Sequence, residues 1–218
     1  MSTQSIDSAS KLTSTKLVED LRQRITSGDL SPGMRLRQRE IAEYYDVSSM
    51  SARDAIKILL EDGFASQEGA KTIVVSKLSP IDFLEIMELR QVLEPRMLEL
   101  SGPRLSAEAI AEMRALLGSD GEIWTPEETA ERHWSFHRIL YSRAARPRTF
   151  DILERLNGHI TRYMLPLWYS IGIGADWRSH HLSLVTMVED GAVADAVEEL
   201  RIDLAQTKSR VLENMTID

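Results

Sequence analysis

Apolar residues recur along the first third of the chain in two rhythms. Leu17, Leu21 and Ile25 return every fourth position from Thr15 onward, the spacing of one helix face. Gly28 stops that helix, and Ser31-Pro32-Gly33 is a turn. A short helix over Gln38–Tyr45 turns Ile41, Ala42 and Tyr45 inward, and Asp46-Val47 breaks it. Ser48 or Ser49 then caps a third helix running to about Asp62, with Ala52, Ala55, Ile56, Leu59 and Leu60 on its apolar side. Gly63 suits the left-handed residue after it. Two β-prone pieces follow, Phe64–Gln67 and Thr72–Val75, joined by Glu68-Gly69-Ala70-Lys71. That pattern predicts a hairpin with a glycine in its turn.

Beyond Lys77 the β signals vanish. Ser79-Pro80-Ile81-Asp82 opens a helix: a capping serine, proline at the first position, an acid in the first turn. Its apolar positions are Leu84, Leu89, Val92, Leu93 and Met97, it runs to about Leu100, and Pro95 should kink it. Ser106 caps a helix to Leu117, and Thr125-Pro126-Glu127-Glu128 starts one ending near Ala145. Thr149–Leu165, Asp176–Glu189 and Ala192–Asn214 complete the chain. About six helices with short connections predict an antiparallel bundle. The fold class expected is mainly α. Residues 1–12 form a disordered Ser/Thr-rich tail, 13–77 three helices and a hairpin, and 78–218 an all-helical bundle.

Composition narrows the function. Of 218 residues, 43% are hydrophobic and 28% charged, the balance of an ordinary globular protein. The absence of cysteine excludes disulfides, thiolate zinc fingers and cysteine nucleophiles. No apolar run approaches the roughly 20 residues of a membrane helix, and the N-terminus carries no signal-like stretch, so a cytoplasmic protein with no membrane partner is expected. A net charge of −8 argues against nucleic acid, but the charge is uneven. Residues 1–77 hold 11 basic and 11 acidic residues; residues 78–218 hold 15 and 23. Arg35, Arg37 and Arg39 fall within five positions, and a local basic patch matters more to DNA than the total.

Three helices and a hairpin make the winged helix-turn-helix plan, whose third helix enters the major groove with its first residues at base edges. Ser48, Ser49, Met50, Ser51 and Arg53 occupy that end. Arg53 can reach a guanine edge by a two-pronged contact, or a phosphate. The three arginines flank the second helix, where backbone contacts are expected, and Gly69 lets the wing tip approach closely. Leu30-Ser31-Pro32-Gly33-Met34-Arg35-Leu36, Glu40-Ile41-Ala42, Val47-Ser48 through Arg53-Asp54-Ala55-Ile56, and Glu61-Asp62-Gly63 resemble the GntR family of bacterial regulators over about residues 15–77. The resemblance places Arg39, Ser48, Ser49, Arg53 and Gly69 where family members touch a double-stranded operator, with Arg35 beside them. Where the family often has Arg-Thr-Pro, this chain has Ser49-Met50-Ser51.

The bundle holds all five histidines. His133 and His137, four apart on one helix, share a face at a two-ligand metal spacing. Trp134 stands where a zinc protease needs Glu, so no general base accompanies them. Residues 80–210 resemble the FCD ligand-sensing domain of FadR-type GntR proteins. Arg90 and Glu94 fit its R-x-x-x-E pattern, His133-x-x-x-His137 stands where the family usually has Asp-x-x-x-His, His181 fits a family histidine, and Asp203 stands where another histidine is usual. The resemblance implies a divalent metal held by His133, His137, His181 and Asp203. Zinc, nickel, manganese and iron all suit that donor set. It further implies a small carboxylate effector, with Arg90 and, on polarity alone, Arg162 as anion partners. The function expected is a homodimeric transcriptional regulator, in its commoner mode a repressor. The alternatives are the same regulator with a metal-free pocket, and a metalloenzyme, for which no HExxH, Ser/His/Asp or paired-carboxylate arrangement is found.

Overall fold

Ser48 starts the third helix by accepting a hydrogen bond from the backbone N–H of Ser51 at 3.0 Å, which satisfies one of the donors a helix start leaves open. The computed structural model describes residues 14–119, 122–171 and 176–215, so the tail expected at 1–12 lies outside the described residues. The chain divides into two units between Lys77 and Leu78. In the first, α1 (Ser14–Thr26), α2 (Gln38–Tyr44) and α3 (Ser49–Glu61) pack around Leu17, Leu21, Ile56 and Leu59. Asp46 turns α2 into α3 with φ of 50°, a conformation aspartate tolerates. Strands β1 (Ala65–Glu68) and β2 (Thr72–Val75) pair antiparallel, Ala65 opposite Val75, and Gly69 takes φ of 71° in the turn.

The wing has more sheet than the hairpin reading expects. Gly33 N–H donates to Val75 O at 2.9 Å, Val75 N–H to Met34 O at 2.8 Å and Leu36 N–H to Ile73 O at 2.9 Å. The segment after the Pro32-Gly33 turn thus lies along the free edge of β2, with Arg35 opposite Val74. An open edge carries unpaired backbone groups, and this segment satisfies them. It is too short and too weakly alternating to announce itself in sequence.

In the second unit, α4 (Pro80–Ser101) lies against α6 (Pro126–Tyr141), α7 (Pro147–Ile171) and α9 (Val193–Asn214), while α8 (Asp176–Glu189) packs on α5 (Ala107–Leu117) and α9. Ser79, Ser106 and Thr125 cap α4, α5 and α6, and Thr125 with Glu128 forms a reciprocal capping box. Helix α4 runs through Pro95 to Ser101 and buries Phe83, Met87, Arg90, Glu94 and Leu98, leaving Leu89 43% and Val92 71% exposed. The hydrophobic reading holds for Met97, which is buried, and Leu93, which packs on the core, but fails at Leu89 and Val92, because the buried stripe contains an ion pair instead. Helix α6 ends at Tyr141, with Ala145 at φ of 54° in the turn beyond. Helix α7 continues through Pro166, where sequence suggests a stop. Pro166 faces outward, while Leu167 beyond it is buried, and that burial offsets the lost hydrogen bond.

Candidate functional site

Two sites emerge, one in each unit. In the first, α3 presents Ser49, Met50 and Arg53 to solvent at its beginning, with Met50 57% exposed. Gln38 at the start of α2 donates from Nε2 to the Ser49 carbonyl at 2.7 Å and lies 3.1 Å from its hydroxyl, tying the two helix starts together. Arg37, which precedes α2, pairs with Glu40 at 2.6 Å, and Arg39 with Glu43 at 2.7 Å. Such exposed pairs are weak and open readily for a phosphate. Arg35 and Arg53 are exposed and have no partner among the described residues. Arg35 belongs to the wing edge rather than to the flank of α2. At the wing tip Gln67 donates to the Gly69 and Ala70 carbonyls, both at 3.1 Å, which shapes the turn around Gly69.

In the second unit, α6 and α8 bring three imidazoles together. Nε2 of His137 lies 3.2 Å from Nε2 of His133 and 3.0 Å from Nε2 of His181. The outer nitrogens decide where the protons are. Nδ1 of His181 faces the Trp177 carbonyl at 2.6 Å and must donate to it. Nδ1 of His137 lies 3.0 Å from the Tyr141 hydroxyl, whose own proton goes to Oε2 of Glu94 at 2.8 Å. The phenol oxygen therefore accepts, and His137 carries its proton on Nδ1. Both His137 and His181 then point bare Nε2 lone pairs at each other, and no neutral tautomer of His133 puts a proton between them. Protonation is opposed: burial, then the neighbouring imidazoles and Arg90, holds His137 well below the usual histidine range. Burial and then His181 lower His133 in the same way, and burial lowers His181 despite Asp203. Neutral imidazole nitrogens about 3 Å apart are what one first-row divalent ion with bonds of about 2.1 Å would join. The donor set fits a metal ion.

Burial, then Glu94, pushes the Tyr141 phenol well above its ordinary value, so it keeps its proton. Burial opposes the charge of the Arg90 guanidinium, but its pairing with Glu94, together with Tyr141 and Asp203, holds its pKa above the ordinary value. A cavity with about 50 Å³ of water-fillable space opens beside the cluster, lined by Arg90, His133, His181, Asp203, Trp177 and Arg210 among others. That space holds a few waters or a small molecule.

Of the sequence-derived candidates, His133, His137 and His181 meet within 4.8 Å. Asp203 lines the cavity but stands outside that cluster, and Arg90 lines it with its charge already met by Glu94. Arg162 is buried on α7 near Tyr163 and Asp82 and is not among the lining residues. His180 pairs with Glu199 at the cavity wall, and His159 lies outside the cluster. Sequence reasoning missed Tyr141, Arg210 and Gln38. Tyr141 was within reach, because it continues the i, i+4 stripe of His133 and His137.

Comparison with known proteins gives two family matches: the FCD domain over residues 85–206, and "Bacterial regulatory proteins, gntR family" over residues 13–75. The HTH-type transcriptional regulator McbR of Escherichia coli K12 is 23% identical over 194 residues, spanning 88% of this chain and 80% of that protein. A transcriptional regulator GntR from Rhodococcus sp. RHA1 superposes with a TM-score of 0.80 at 19% identity, over 93% of this chain and 99% of that one. The solved E. coli McbR/YncC gives 0.74 at 20% identity, over 92% and 97%. A GntR family member from Pseudomonas syringae pv. tomato DC3000 gives 0.57 at 28% identity, over 93% and 85%.

Proposed function

The chain belongs to the GntR family of bacterial transcriptional regulators, in the subfamily with an FCD domain, and from that premise we propose a homodimeric cytoplasmic repressor whose operator affinity answers to a small carboxylate bound beside a divalent metal. DNA binding and an effector domain come with the family, and the protein is a regulator rather than an enzyme. Among the described residues no helix is long and apolar enough to cross a membrane.

In the proposed interface, Ser48, Ser49 and Arg53 lie at base edges, Arg35 and Arg39 hold phosphates, and Gly69 brings the wing backbone close. The two arginines without partners support this assignment. The dimer is supported by Ile81, Leu89 and Val92, exposed along one side of α4 at i, i+8 and i+11. Two copies would place two heads on a two-fold symmetric operator. Repression is carried over from the commoner mode of the family.

One observation carries the metal reading: the bare Nε2 atoms of His137 and His181 face each other at 3.0 Å in a buried place that disfavours a proton. His133, His137 and His181 would hold the ion, with Asp203 close enough to the cavity to complete the set or bind its water. The ion supplies a positive centre for a carboxylate. Arg90 and Arg210 line the same cavity, and Arg162 is the more remote candidate cation. Metal analysis of purified protein tests this. Wild type should carry about one transition-metal ion per chain, and the His133→Ala/His137→Ala variant essentially none. Equal content in both would leave a regulator that senses its organic ligand without metal.

A further inference from the structure

Tyr141 and Glu94 are each only 1% exposed, yet both keep a polar group in the centre of a hydrophobic bundle. Phenylalanine would fill the same place as Tyr141 without a hydroxyl to satisfy. The hydroxyl therefore needs a reason, and the direction of its hydrogen bonds supplies one. Arg90 Nε donates to Oε1 of Glu94, Tyr141 donates to Oε2, and His137 Nδ1 donates to Tyr141. The chain of donors runs one way, from His137 on α6 to a carboxylate on α4. A carboxylate can only accept, so each proton position follows from the one before.

We propose that Tyr141 and Glu94 are positioning residues of the three-histidine site: Glu94 accepts the hydrogen bond of the phenol, Tyr141 must then accept from Nδ1 of His137, and the bare Nε2 is turned toward the place of the cation. This rests on the metal reading above and adds to it an ordering of the ligands. His137 is fixed by Tyr141 and His181 by the Trp177 carbonyl. Nδ1 of His133 has no hydrogen-bond partner among the described residues, and its ring is half-buried at the cavity. Two ligands are set before the ion arrives, and His133 is the one that adjusts. Outer partners of this kind fix both the tautomer and the orientation of a ligating imidazole.

The test compares wild type with Tyr141→Phe, and takes Tyr163→Phe as control. Tyr163 is also buried and bonds Asp82 at 2.6 Å, with no hydrogen bond to the three histidines among the described residues. Zinc and nickel binding are titrated calorimetrically on metal-free full-length protein. Tyr141→Phe should weaken binding about 10–100-fold, while Tyr163→Phe leaves it within twofold. If wild type binds ions and Tyr141→Phe binds them equally well, the positioning role is overturned while the metal reading stands. If wild type binds neither ion, the metal reading itself falls. Should Tyr141→Phe fail to fold, long-range proton–nitrogen correlation on histidine-labelled, metal-free wild type settles the matter. His137 should carry its proton on Nδ1; a proton on Nε2 overturns the proposal.

Discussion

Arg53 on α3 and Arg35 on the wing edge have separate tasks in the proposed interface, and substitution should separate them. Arg53→Ala is expected to cost about 1–3 kcal/mol on the specific operator and to relax the preference at one base pair. Arg35→Ala should weaken specific and unspecific DNA alike and reduce the salt slope by about one. Fluorescence anisotropy against both DNAs at several salt concentrations reads the two effects. An equal loss on both DNAs for Arg53→Ala would make it a phosphate contact. The residues of the histidine cluster were readable in sequence to different degrees. His133 and His137 declare themselves by helical spacing, whereas His181 needed the family pattern. Asp203 was carried over from the same pattern and lies at the cavity rather than in the cluster. Glu94 was read as part of a motif, but its contact with Tyr141 joins residues 47 positions apart, and no local pattern reports that.

Among the elements, helix starts were the easiest to read. Ser48, Ser79, Ser106 and Thr125 all cap, because each presents an oxygen just before an apolar repeat. Harder were the places where packing overrides local preference. The segment at residues 33–36 bonds along β2 because that edge leaves backbone groups to satisfy, and the buried face of α4 includes Arg90 and Glu94 because each neutralises the other. Helix α7 continues past Pro166 because Leu167 has a buried place beyond it. That last case yields a stability prediction. Pro166→Ala restores a donor for the Arg162 carbonyl on an exposed helix face, so it should stabilise the protein by about 1–3 kcal/mol. Denaturant unfolding measures it. A lower stability would mean that the proline ring fills a needed contact.

Over the whole molecule, charge and chemistry divide in the same way. The first 77 residues balance their charges and expose arginines, while the remainder carries the entire net charge of −8 and the histidine cluster. An acidic bundle stays off phosphates, so DNA contact falls to the head. If the head makes about 6–10 phosphate contacts, affinity should fall roughly 10³–10⁵-fold between 50 and 200 mM salt; a nearly flat response would contradict that interface. Control by ligand requires only that occupancy at the cluster favour one DNA-binding state by about 1–3 kcal/mol, a 5–150-fold change in operator affinity.

The most direct measurement is operator affinity of the full-length protein, on a site found by genomic footprinting, in zinc-loaded and chelator-stripped forms. It is made with and without small mono- and dicarboxylates, for wild type and for the His133→Ala/His137→Ala variant. Loaded wild type should change its affinity at least fivefold on adding an effective acid, and the stripped protein and the variant should not. An identical response in all three would contradict control through the three-histidine cluster.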